Sequence, residues 1–131
     1  EKKFSSHRLV EIAKGQAPSW YDPEHCVEGQ EVGTLRLQQL LMQTQVAQFD
    51  RTQDLLETLE TLESQLIQHR IGMIVLDSVA ALARADFPSA GLARTNALIS
   101  QAAILKRLAD AFDLVVLVTN QVTSLYDQQG Q

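Results

Sequence analysis

Asp77-Ser78 follows the apolar run Met73-Ile74-Val75-Leu76, and Thr119-Asn120-Gln121 follows Leu114-Val115-Val116-Leu117-Val118. Each run is too short for a core helix and suits a strand. An apolar strand that ends in Asp is a physical pattern for a Mg²⁺–nucleotide site. The carboxylate meets a hard cation, usually through water, where the chain leaves the core. Asp is also an ordinary strand terminator and helix cap, so Asp77 by itself leaves both readings open. Open parallel sheets bind ligands beyond the carboxyl ends of their strands. If the two runs are parallel strands of one sheet, both polar clusters face one crevice.

Those strands need helices to bury them. Ser5 or Ser6 can cap a first helix over residues 6–14, with Leu9, Ile12 and Ala13 inward and Gly15 as its stop. Residues 15–30 hold two prolines and two glycines around Trp20-Tyr21 and read as an irregular surface excursion. Leu37, Leu40 and Leu41 mark a further helical stripe. Gln45-Val46-Ala47-Gln48-Phe49 partly alternates and suggests a short strand. A long helix is predicted over 51–68, capped by Asp50 with Gln53 in capping-box register. Its stripe is Leu55, Leu59, Leu62 and Leu66, with Glu57, Glu60 and Glu63 on another face. A second long helix is predicted over 94–112, with Leu98, Ala102, Leu105, Leu108 and Phe112 inward. The uninterrupted apolar runs at 73–77 and 114–119 predict strands buried on both faces. Strands alternating with helices place the chain in the α/β class, a mostly parallel sheet flanked by helices with right-handed crossovers.

Composition narrows the function. The 131 residues carry 11 basic and 16 acidic groups, a net charge of -5. The acid is concentrated in residues 21–63, with nine acidic and two basic groups. Tight non-specific DNA binding needs Lys and Arg to neutralise phosphates, and this chain alone is poor in them. One cysteine, Cys26, excludes an internal disulfide framework and suits a reducing compartment. His25 adjoins it, but no second Cys or His stands at zinc-ligand spacing. No apolar run approaches the length of a membrane span, and the first residues, Glu1-Lys2-Lys3-Phe4, are not those of a secretory signal.

Four blocks in a fixed order are more specific than any single motif. They are Phe4-Ser5-Ser6-His7-Arg8-Leu9, the run from Ile74 to Phe87 containing Asp77-Ser78-Val79-Ala80-Ala81-Leu82-Ala83-Arg84-Ala85-Asp86, Leu105-Lys106-Arg107-Leu108-Ala109-Asp110-Ala111-Phe112, and Val118-Thr119-Asn120-Gln121-Val122-Thr123. Together they resemble the RecA/RadA recombinases over roughly residues 1–125. The Asp-Ser-Val-Ala-Ala block and the Asn-Gln-Val-Thr block look most like the eukaryotic paralogues of the X-ray-repair cross-complementing type. Phe-Ser-x-x-Arg-Leu-Val-Glu-Ile-Ala looks like the B-type recombinase paralogue. The resemblance implies a partial RecA-like P-loop NTPase core over 1–125 and a polar tail over 126–131.

It also implies roles, one residue at a time. Glu1 falls where the family places the glutamate that orients the attacking water. Arg8 matches an arginine that covers the nucleotide base, and Asp77 matches the Walker B aspartate on the Mg²⁺ shell, followed by Ser78. Gln121 matches the glutamine that senses the terminal phosphate and couples it to a DNA-binding loop. Asn120 supports the strand end. Arg84 and Arg94 flank the segment that matches the first DNA-binding loop. That segment, residues 85–93, has no basic residue and is about two residues short, which argues against direct strand exchange by this chain.

No G-x-x-x-x-G-K-[ST] run occurs in the sequence, so the loop whose backbone N–H groups cradle phosphate is not within it. The expectation is a piece of a longer nuclear protein, a DNA-dependent ATPase using ATP and Mg²⁺. It would assist recombinase filaments on single-stranded or branched DNA, in hetero-oligomers with other paralogues or the main recombinase, without a membrane role. The piece alone is expected to be inactive. The alternative from another class is an inactive RecA-like scaffold for paralogue assembly. A related helicase or clock ATPase is disfavoured by the blocks from Arg84 to Gln121.

Overall fold

A computed structural model describes residues 4–120. The chain divides into two compact units, residues 1–47 and residues 48–131.

The first unit is helical. Helix α1 (Ser6–Gln16) begins where Ser5 Oγ accepts the Arg8 N–H at 3.3 Å. It runs one residue past the expected stop at Gly15 and ends before Pro18, which opens the short helix α2 (Pro18–Tyr21). Ala13 is buried as expected and Leu9 half-buried, while Ile12 is exposed. Helix α3 (Gln30–Met42) starts from Gly29, whose φ of 108° only glycine adopts readily. The stretch 15–30 is thus partly helical, and tied down. A Cβ on Gly33 would lie 3.0 Å from Pro23 Cα and 3.1 Å from Cys26 Cβ, so glycine permits this close approach. The Arg36 guanidinium lies 3.3 Å from the centre of the Trp20 ring and pairs with Glu28 at 2.7 Å.

The second unit holds the sheet. Residues 45–49 do not form the predicted strand. Their alternation is imperfect, and among the described residues the ladder joins two strands alone. Phe49 instead packs on the core of the second unit. The predicted helix 51–68 is two helices, α4 (Thr52–Glu60) and α5 (Glu63–His69). At the break the Thr61 hydroxyl donates to the Glu57 carbonyl at 3.0 Å, a side-chain bond that competes with the helical ladder. The stripe survives the break, with Leu55, Leu59 and Leu66 all buried. Asp50 does not cap α4. Asp86, 34 residues later, accepts the Thr52 N–H at 2.6 Å.

Strand β1 (Met73–Leu76) is followed by α6 (Ala81–Asp86), α7 (Gly91–Phe112) and β2 (Val115–Val118). The strands pair in parallel, from Met73 opposite Val115 to Leu76 opposite Val118. Arg70 and Asp113, both with positive φ, end the helices that precede the two strands. Ile74, Leu76 and Val116 pack on Leu55, Leu59 and Leu105, and Ile74 and Val116 also on Leu66, Leu108 and Leu114. The strands are not buried on both faces as predicted. Met73, Val75, Val115 and Leu117 are more than half exposed. Side chains alternate across a strand, and the apolar core gathers on one side of the sheet. On α7, Leu105 and Leu108 are buried as expected, but Ala97 and Gln101 take the inner positions and Ala102 is exposed. Among the described residues no helix is long and apolar enough to cross a membrane.

Candidate functional site

Parallel pairing puts the ends of β1 and β2 side by side, and the polar clusters meet there. The backbone ladder continues past the strands. The Thr119 N–H donates to the Leu76 carbonyl at 3.0 Å, and the Val79 N–H donates to the Thr119 carbonyl at 3.0 Å. These bonds hold Asp77 beside Thr119, whose hydroxyl donates to Asp77 Oδ1. Asp77 remains exposed. The Asp77–Ser78 peptide is cis. Ser78 is half-buried, and its Oγ is buried without a hydrogen-bond partner. Arg84 reaches back from α6, its Nη2 donating to Asn120 Oδ1 at 3.2 Å.

The strand-end cluster therefore comprises Asp77, Ser78, Arg84, Thr119 and Asn120. Of the residues predicted from sequence, Glu1 and Gln121 lie outside the described residues. Arg8 belongs to the first unit, exposed on α1 and paired with Glu11 at 2.8 Å. That bond holds the Glu11 carboxyl below its ordinary range. Arg94 is half-buried in the first turn of α7, its N–H on the Ala90 carbonyl at 3.0 Å. Arg84, placed by sequence beside the first DNA-binding loop, contacts the strand end.

Two arrangements carried no sequence signal. Asp86 caps α4 from across the unit, and the Thr52 N–H holds its carboxyl below the ordinary value. Gln101 is fully buried on α7 with both polar atoms lacking partners. Only folding brings Thr52 and Asp86 together, with Ala97 of α7 beside them.

The oxygens of Asp77 and Thr119 suit Mg²⁺, which favours carboxylate, hydroxyl and water ligands. One carboxylate and one hydroxyl are an incomplete shell. Among the described residues no group of three or more His, Cys, Asp or Glu is placed to hold a metal. A Mg²⁺ ion here would need phosphate and water oxygens for the rest of its shell. The orphaned Ser78 hydroxyl is a further polar group at this end of the sheet.

A parallel pair ending in this cluster fits the resemblance read from the sequence, and the comparisons decide the family. The Rad51 family model matches residues 17–131. The chain belongs to the Rad51 family. This Rad51-family chain is 30% identical over 131 residues to human DNA repair protein RAD51 homolog 2, covering 95% of the chain and 31% of the relative. The mouse protein of the same name is 28% identical, with 95% of the chain and 34% of the relative covered. A DNA repair protein XRCC3 homolog of Arabidopsis thaliana is 47% identical over 58 residues, 42% of the chain and 19% of the relative. The chain thus spans about a third of the length of the two RAD51 homolog 2 proteins. The helix-rich second unit with its small parallel sheet is consistent with part of the RecA-like α/β domain that the family implies.

Proposed function

We propose that the chain is part of an ATP-dependent DNA repair protein that acts in homologous recombination as a recombinase paralogue, assisting strand-exchange filaments in the nucleus. One observation carries this reading beyond family membership. Asp77 and Thr119, from strands 42 residues apart in sequence, are hydrogen-bonded at the carboxyl end of a parallel pair, where such sheets bind ligands. In this reading Asp77 sits on the Mg²⁺ shell with Ser78 beside it, Gln121 senses the terminal phosphate, Glu1 orients the attacking water and Arg8 covers the base. ATP, when bound, supplies the phosphoryl chemistry, and this chain's residues orient its metal and sense its phosphate. Arg94 and Arg84 flank the segment facing DNA. Other paralogues or the main recombinase are the protein partners, and single-stranded or branched DNA is the nucleic-acid partner through the full-length protein.

The test is calorimetric titration of Mg-ATP into the 131-residue chain and into the full-length protein. Phosphate affinity in such sites comes mainly from backbone N–H groups and a lysine of a glycine-rich loop, which this sequence does not contain. The expected result is binding by the full-length protein and none by the 131 residues alone. Tight binding by the short chain would mean that the site lies elsewhere. Failure of a folded full-length protein to bind would favour a scaffold role.

A further inference from the structure

Helix α6 is six residues long and is held at two points by side chains that leave it in different directions. Arg84 donates to Asn120 at the end of β2, at 3.2 Å. Asp86, the last residue of α6, accepts the Thr52 N–H at the start of α4, at 2.6 Å. Residues two apart on a helix point roughly 200° apart, so α6 is gripped from opposite sides. Its entry is fixed too, because the Val79 N–H is bonded to the Thr119 carbonyl at 3.0 Å. The segment that leaves it, 87–90, leads into α7 and lies within residues 85–93, which resemble the first DNA-binding loop.

The seam at the α4 end is not fully satisfied. Thr52 is 2% exposed, and Gln101 on α7 is 0% exposed with both amide atoms unpartnered. Thr52, Asp86 and Ala97 line one cleft, and Gln101 lies one turn beyond Ala97 on α7. Buried polar groups without partners are costly, so this seam has hydrogen-bonding capacity that a second arrangement of α6 could use.

We propose that α6 is a mechanical tie between the strand-end cluster and the α4–α6–α7 seam, with Arg84 and Asp86 as its two positioning residues. A change at Asp77, Thr119 or Asn120 moves α6 through Arg84, alters the Asp86 cap on α4, and shifts the 87–90 segment. Arg84 in this account acts by holding α6 rather than by gripping a DNA strand. The part of the proposal that makes nucleotide the trigger rests on the function proposed above; the tie itself does not.

The test is amide hydrogen exchange in the full-length protein, read at the Thr52 amide and the first turn of α4. Asp86→Ala removes the cap directly and is the positive control, with exchange at Thr52 expected to rise about fivefold, the factor a typical cap corresponds to. Arg84→Lys keeps the charge but loses the forked donor. It does not touch α4, yet the tie requires it to speed exchange at Thr52 as well. Asn120→Asp, which adds an ion pair to Arg84, should slow it. No change at Thr52 in either Arg84→Lys or Asn120→Asp would overturn the tie, as would an Asp86→Ala protein with unaltered exchange there. Adding Mg-ATP separates the two claims. Altered exchange at 77–79 and 119 that reaches Thr52 in the parent protein but not in Arg84→Lys supports the tie as a nucleotide relay. Alteration at the strand ends that never reaches Thr52 overturns the relay. No alteration at the strand ends overturns the nucleotide reading, while the variant comparison still decides the tie.

Discussion

Leu108→Ala is the sharpest test of the packing that positions the strand ends. Leu108 is 0% exposed and forms a core cluster with Leu66 and Leu114. Ile74 and Val116, one from each strand, pack against that cluster. Truncation removes the transfer free energy of the lost carbons and leaves a cavity bounded by α5, α7 and the sheet. Fully buried Leu→Ala changes cost about 3–4 kcal/mol when the surroundings relax only partly. A unit of some eighty residues has roughly 4–12 kcal/mol in total, so one truncation should consume a large share of it. Ile99, on the same helix but 61% exposed, is the matched comparison. Ile99→Ala should stay within about 1 kcal/mol of the parent protein. The assay is urea unfolding followed by far-ultraviolet circular dichroism. With a slope of about 1–1.5 kcal/mol per molar, the Leu108→Ala midpoint should fall by about 2 M or more at unchanged slope. Equal shifts for the two variants would refute the placement of α7 on the sheet.

Other outcomes follow from single residues. Asp86 has a folded-state pKa below its ordinary 3.8, chiefly because the Thr52 N–H binds the ionised form, with Arg51 as the nearby positive charge. Its stabilisation is present above that ordinary value and disappears as pH falls through the lowered one. Urea midpoints against pH should therefore drop more steeply on acidification for the parent protein than for Asp86→Asn, and parallel curves would contradict the cap. Gly33→Ala should destabilise the first unit by about 1–3 kcal/mol through overpacking on Pro23 and Cys26. Gly72→Ala, where a Cβ meets nothing within 4 Å, should be neutral or slightly stabilising; thermal unfolding of the pair separates them. Val75→Thr with Leu117→Thr, on the exposed apolar face of the sheet, should lower self-association of the 131-residue chain in sedimentation with little change in helix content. Unaltered self-association would show that this face is not sticky in solution.

The sequence was most legible where pattern and local chemistry agree. The runs at 73–76 and 115–118 are strands, and the Leu55–Leu59–Leu66 stripe is buried although its helix breaks at Thr61. Ser5 caps α1 because a cap is a local device, here within residues 5–8, that sequence can display. Asp50 looked equally suited to cap α4, but a carboxylate 34 residues away took that role. No local pattern encodes such a bond. The strand predicted at 45–49 failed for a similar reason, since alternation describes a strand's faces and not its backbone partner. The meeting of Asp77 with Thr119 was inferable, because each directly follows an apolar run and the runs pair in parallel, Leu76 opposite Val118. Arg84 on Asn120 was not, because the first turn of an arginine side chain away from its helix is set by packing. Family resemblance named the residues, and the geometry says which of the described ones touch.

The most direct measurement of the central claim is the Mg²⁺ dependence of ATP affinity in the full-length protein and in its Asp77→Asn variant, by calorimetry with and without Mg²⁺. Asp77, bonded to Thr119 at the strand end, is the residue we propose for the metal's shell. The account predicts that Mg²⁺ tightens ATP binding on the order of tenfold in the parent protein, as expected when a carboxylate and phosphates share one cation, and that Asp77→Asn removes most of this difference while the protein stays folded. An equal Mg²⁺ effect in both proteins would contradict it.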